Sequence, residues 1–210
     1  TLTAGDVSID LSSKNLGFAD IALLTAWLQR PEVNAALNSL RCGSNPITDK
    51  GMIPLLDAVK GIGLTELDIS NTKVGPPTAA KLAEVLADGT PFSAALAHLA
   101  ICQNKIGSEG GTALVEAIKT SNLESISIGK DLTLPIKGEL DSPTLDASDQ
   151  DIDPGYVMIL AWWLTTPAGA TPVEVVILDG NPRLGGPCDI SLKPEAKTGA
   201  TAAKGAFAAV

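Results

Sequence analysis

The heptapeptide DQDIDPG sets three carboxylates, Asp149, Asp151 and Asp153, at alternate positions, the spacing with which a calcium loop begins. Such a loop also needs glycine at its sixth position and a bidentate glutamate at its twelfth, and here those positions hold Pro154 and Leu160. The only histidine, His98, precedes Cys102 by four residues. On an extended strand that spacing is roughly 13 Å, too far for one metal ion. Cys42 takes an apolar position in its segment and reads as a small buried hydrophobe, whereas Cys188 falls in an irregular insertion. The glycine clusters GIGL and GSEGG lack the Lys-Ser/Thr pair of a phosphate loop. No group reads as a catalytic site, and neither a metal nor a cofactor is expected.

What these residues share is the kind of element that carries them. In LTELDISNTKVGPPTAAKLAEVL, residues 64 to 86, Leu64, Leu67 and Ile69 have the short spacing of a strand, and Ser70 to Lys73 form a polar turn. From Thr78 the apolar residues Ala79, Leu82, Ala83, Val85 and Leu86 change to helical spacing, with Lys81 and Glu84 on the other side. Pro76 and Pro77 stand where a first helical turn tolerates a missing N–H. The unit is strand, turn, helix.

It recurs. LNSLRCGSNPI (37 to 47) and LAHLAICQNKI (96 to 106) repeat its opening without a gap, and weaker copies begin near Asp6, Leu123, Ser142 and Val173. The central apolar residues Ile9, Leu40, Leu67, Leu99, Ile126, Leu145 and Val176 are separated by 31, 27, 32, 27, 19 and 31 residues. A period of this length predicts a stacked array, in which no unit buries its apolar face alone. Helices are predicted near 19 to 29, 50 to 60, 77 to 87, 108 to 119, 155 to 165 and 199 to 209.

With this spacing and a full helix after LxxLDIS, the sequence resembles the leucine-rich-repeat family, in its ribonuclease-inhibitor-like class. The resemblance implies an α/β solenoid, a curved right-handed superhelix of about seven repeats with seven parallel strands on one side. It also implies a ladder of asparagines, Asn45, Asn104 and Asn181, whose side chains satisfy backbone groups in neighbouring turns. Lys14, Thr72, Asp131 and Gln150 stand at the same position and depart from the motif.

A second periodicity lies at an offset of 136 residues: Asp10, Leu24, Trp27, Leu28, Pro31, Asn45 and Pro46 coincide with Asp146, Leu160, Trp163, Leu164, Pro167, Asn181 and Pro182. The array therefore restarts. Residues 1 to 130 form a first set of five repeats, 131 to 143 an irregular break without a helix, and 144 to 210 a restarted set with an insertion at 183 to 198. Trp27 and Trp163 occur in the two copies with no full helix before them and are read as end caps, Trp163 over the break. Trp162, about 100° around the helix, is the candidate for a surface contact.

Composition narrows the partners. The 210 residues are 45% apolar but only 3% aromatic, and the net charge is −9. An acidic field repels phosphate backbones and anionic lipid, so neither nucleic acid nor a membrane surface is an expected partner. The apolar runs 156 to 164 and 173 to 178 are too short to span a bilayer, so the chain reads as soluble without membrane insertion. Three cysteines without paired spacing suggest a reducing compartment. A start at Thr1 without Met reads as processing or a fragment.

The functional expectation is a non-catalytic protein-interaction or scaffold module. The alternatives are a structural accessory subunit of a large assembly and a regulator like the Ran GTPase-activating proteins, which are built on similar repeats. Strand residues facing away from the core are small and polar; Arg41 stands out, as does the apolar pair Val175 and Ile177. Arg41, Trp162, Val175 and Ile177 are thus the candidate partner-binding residues, and the C-terminal edge is expected to be covered by further repeats, a partner or the insertion itself.

Overall fold

Five three-residue strands lie side by side in chain order in the computed structural model: β1 (Ser8–Asp10), β2 (Ser39–Arg41), β3 (Glu66–Asp68), β4 (His98–Ala100) and β5 (Ser125–Ser127). Residues 2–3, 5–87, 89–184 and 189–191 are described, 34 and 189–191 as backbone only. The five strands are parallel, and their register puts Ile9, Leu40, Leu67, Leu99 and Ile126 in one row. Each of these is buried, while its two neighbours point out of the core. Successive strand side chains point to opposite faces, so a three-residue strand with one apolar centre has one way to sit.

Between the strands run α1 (Phe18–Leu28), α3 (Thr48–Val59), α4 (Pro76–Ala87) and α6 (Gly107–Ile118), with two short turns of helix, α2 (Pro31–Asn34) and α5 (Pro91–Ala95). Each long helix buries one stripe, such as Met52, Leu55, Leu56 and Val59 on α3 or Leu114, Val115 and Ile118 on α6. The chain is thus α/β, with a largely parallel sheet alternating with helices.

A second sheet follows. β7 (Thr144–Asp146) and β8 (Val175–Ile177) are parallel and flank α7 (Pro154–Trp163) and the short α8 (Pro167–Ala170). Two further strands run the other way: β6 (Thr133–Pro135) is antiparallel to β5, and β9 (Asp189–Ser191) to β8. The expectation of seven parallel strands in one row is therefore corrected. The break at 131 to 143 contains β6, because without a helix the chain doubles back and pairs with the strand it has just left. The short helices α2, α5 and α8 were not predicted; each begins at a proline, whose fixed φ and absent N–H suit a first helical turn. The predicted helix at 199 to 209 lies outside the described residues, as do most of the insertion and Cys188.

The turn after each strand has a constant conformation. Four residues past the central apolar residue, Ser13, Ser44, Asn71, Gln103, Asp149 and Gly180 all have φ between 51° and 68°. The fifth unit, where Lys130 holds this position, lacks the left-handed residue and is the unit that turns back into β6. The next residue crosses to the neighbouring turn. Asn45 accepts from the N–H groups of Lys14 and Leu16 at 3.0 and 2.9 Å and donates to the carbonyls of Leu11 and Cys42, both at 2.8 Å. Asn104 does the same for Thr72 and Val74, and Asn181 for Ile152 and Ala147. All three are buried, and each satisfies backbone groups that would otherwise be stranded. Thr72 lacks the reach and donates to Ile69 within its own turn, while Gln150 substitutes one bond longer, accepting from Asp131.

The sheets are separate but the helices are not, since α7 packs directly on α6. Asp153 caps α7 by accepting from Gly155 and Tyr156, and its other oxygen accepts from Gly107 at the start of α6. The Tyr156 hydroxyl accepts from the Asn104 N–H and donates to the Ile101 carbonyl. Gly155 faces the Gly107 carbonyl and Ile106 so closely that a methyl group there would collide with both. Trp163 is fully buried, and its indole N–H donates to the Pro135 carbonyl of β6 at 2.5 Å.

Candidate functional site

The outward strand face is a polar ladder. Glu66 accepts from Ser39 on one neighbouring strand and from the Arg41 guanidinium, at 2.9 Å each, and one strand further His98 Nδ1 meets the Ser125 hydroxyl at 2.9 Å. Burial works to raise the Glu66 carboxyl, but the bonds from Arg41 and Ser39 outweigh it and hold the group below its ordinary value. Glu66 in turn raises Arg41. Arg41 is therefore exposed but already engaged by a carboxylate of its own chain. Glu66, His98 and Ser125 lie in one register row, yet His98 offers Ser125 its Nδ1, the nitrogen that the acid of a hydrolytic triad would hold. The row is a surface network.

The two thiols among the described residues are inert. Cys42 is buried on the core side of its turn, and burial pushes it up to about 12. Cys102, four residues past His98, is buried beyond the end of β4, because the chain has already entered the turn; burial raises its thiol too. Asp149 and Asp151 stand in left-handed turn positions, and Asp151 pairs with Arg183 at 2.9 Å. Among the described residues no group of three or more His, Cys, Asp or Glu could hold a metal ion, and no helix is long and apolar enough to cross a membrane.

The other predicted contact residues are less exposed than expected. Trp162 is half-buried and packs on the core, since α7 is apolar on nearly every side and meets protein on most of them, Met158 being its exposed residue. Val175 and Ile177 are half-buried, and the edge of their strand is paired with the backbone of β9. The insertion thus supplies the cover of that edge.

An apolar opening lies at the other end, on α1. Leu2, Leu11, Leu16, Leu23, Leu24 and Trp27, with Asp20, line a groove of about 360 Å³. Leu23 is 75% exposed and Phe18, nearby on the same helix, 47%. Trp27, read from the sequence as a cap, is only half-buried and leaves the groove open.

The restarted module explains the groove. At the offset of 136, Leu11, Leu16, Asp20, Leu23, Leu24 and Trp27 correspond to Ala147, Ile152, Tyr156, Ile159, Leu160 and Trp163. Every one of these counterparts has no exposed surface. The sequence comparison that aligned the two tryptophans could have found this by asking where the modules differ. Gly17, Ala19 and Asp20 stand in place of Asp153, Gly155 and Tyr156, the residues that clasp the preceding unit.

No protein-family model matches the chain, and no curated protein matches it.

Proposed function

We propose that the chain is a leucine-rich-repeat solenoid of the ribonuclease-inhibitor-like class that acts as a non-catalytic protein-interaction module and docks protein at its N-terminal end. The recurring strand, left-handed turn, asparagine and helix support the class. The observation that carries the function is the α1 groove, an apolar opening of whose seven lining residues six have counterparts in the second module that are sealed by protein. An exposed leucine beside a tryptophan provides the apolar anchor that interfaces use. The strand face, by contrast, holds its one arginine among the candidate contacts in an internal ion pair.

Affinity purification from the source, with the natural chain and with Leu23→Asp side by side, tests this. Proteins retained by the first and lost from the second support docking at the groove; identical sets overturn it. A single stoichiometric complex lost with Leu23→Asp identifies the chain as a subunit of a large assembly, the reading that a polar strand face without a free arginine anchor favours. Stimulated nucleotide hydrolysis by a small GTPase identifies the regulator instead.

A further inference from the structure

The groove has a template inside the molecule. The corresponding face of α7 is sealed by the unit before it, through α6 and through the antiparallel strand β6, whose Pro135 carbonyl receives the Trp163 indole N–H. At the C-terminal end β9 runs back along β8 in the register with which β6 runs along β5. Ile126 pairs with Leu134 and Val176 with Ile190, and where Pro135 stands opposite Ser125, Ser191 stands opposite Val175. The chain thus contains this joint once, complete, and carries a further copy of each half: the tryptophan half on α1 and the returning-strand half at β8–β9.

We propose that these two ends meet between molecules, the β8–β9 end of a second copy seating on α1 at Leu23 and Trp27. This rests on reading the groove as a docking surface. The contact is weaker than the internal joint for identifiable reasons. Ala19 carries a methyl where Gly155 allows close helix approach, Asp20 lacks the hydroxyl with which Tyr156 reaches the Asn104 N–H and the Ile101 carbonyl, and Gly17 lacks the carboxylate of Asp153. Association is therefore reversible and concentration-dependent. It joins two different surfaces, so it propagates head to tail rather than stopping at a symmetric pair. With a net charge of −9 on each copy, salt strengthens it by screening the repulsion.

The test is sedimentation velocity on the full chain over a range of concentration and salt. Mass that rises with both is expected. Leu23→Asp disables the α1 end and weakens association at least about tenfold, as loss of an interface anchor does. Ile190→Pro disables the other end, since Ile190 pairs with Val176 as Leu134 pairs with Ile126, and Ser191→Pro is its control, because β6 carries Pro135 at the matching position and still pairs with β5. Circular dichroism and urea melts identify the variants that keep the native fold. Leu23→Asp and Ile190→Pro are each expected to be monomeric alone, Ser191→Pro to associate like the natural chain, and a mixture of the first two to form dimers and nothing larger. A natural chain that stays monomeric throughout overturns the second-copy occupant; if Leu23→Asp still loses captured proteins, the docking groove stands with a different partner. A folded Ile190→Pro chain that still dimerises alone overturns the head-to-tail arrangement in favour of pairing between α1 ends.

Discussion

Trp27 and Trp163 occupy the same position of the same module, 136 residues apart, and meet opposite fates. Trp163 is sealed, bonded to the Pro135 carbonyl, and backed by Gly169, whose missing side chain leaves room for the ring. Trp27 stands half-open over a groove, with Val33 in the place of that glycine. A tryptophan in a repeat module has no fixed role; the unit placed before it decides whether it is core or surface. The neighbouring residues record the difference, since glycine, tyrosine and aspartate appear where a preceding helix must be met and alanine, aspartate and glycine where the described residues place no helix before them.

The sharpest way to break this contrast is to truncate both tryptophans. Trp163→Ala is expected to cost about 3 to 5 kcal/mol in urea melts, as other large buried truncations do. Trp27→Ala is expected to cost roughly 1 kcal/mol, the level of an ordinary substitution. Equal losses would mean that the two modules are packed alike.

Exchanging the small residues of the helix starts comes next. Gly155→Ala places a methyl against the Gly107 carbonyl and Ile106, and overpacking of that kind costs about 1 to 3 kcal/mol. Ala19→Gly, the reverse exchange on α1, meets no neighbour and is expected to cost only the helix propensity, roughly 0.5 to 1 kcal/mol.

Tyr156→Phe removes the hydroxyl that joins α7 to the first array and is expected to cost about 1 to 2 kcal/mol. It also has a pH signature. Burial raises the Tyr156 phenol above its unfolded value of 10.0, so the unfolded chain loses its proton first and stability falls as pH rises past that value. Cys42 adds to the same alkaline loss from its unfolded value of 9.0 up to about 12. Melts of Tyr156→Phe should show a shallower alkaline limb than the natural chain, whereas Asp20→Ala at the matching position of α1 should leave that limb unchanged.

The smallest effect belongs to a surface outside both regions. The Glu66 carboxyl is held low, so the stabilisation it gives is present above its unfolded value of 4.5 and is lost as pH falls through the lower folded value. Glu66→Gln should flatten that part of the acid limb and cost about 0.2 to 1 kcal/mol near neutral pH, the scale of an exposed ion pair.

Much of this architecture was legible in residues alone. The row Ile9 to Ile126 and five of the six predicted helices follow from apolar spacing, and the bounds of those five differ from the predicted ones by at most two residues. The position of the turn asparagines was legible too, because a short amide of one length recurs at one offset. Arg41 illustrates what was not. Its type suggested a contact residue, but Glu66 faces it from another strand 25 residues away, and only pairing brings the two together. Trp162 was placed outside by a helical projection that assumes one packed face, whereas α7 is surrounded on several.

By itself, then, the sequence determined the unit: periodicity selects strand, turn and helix, and burying one stripe per unit requires neighbours. Tertiary structure decided which edges those units leave open. The reversals of β6 and β9, the clasp of α7 on α6 and the groove on α1 all depend on what lies beside a segment rather than on what it contains. Burial is a property of pairs of surfaces, and a module that recurs at positions 10 and 146 can be sealed in one place and open in the other.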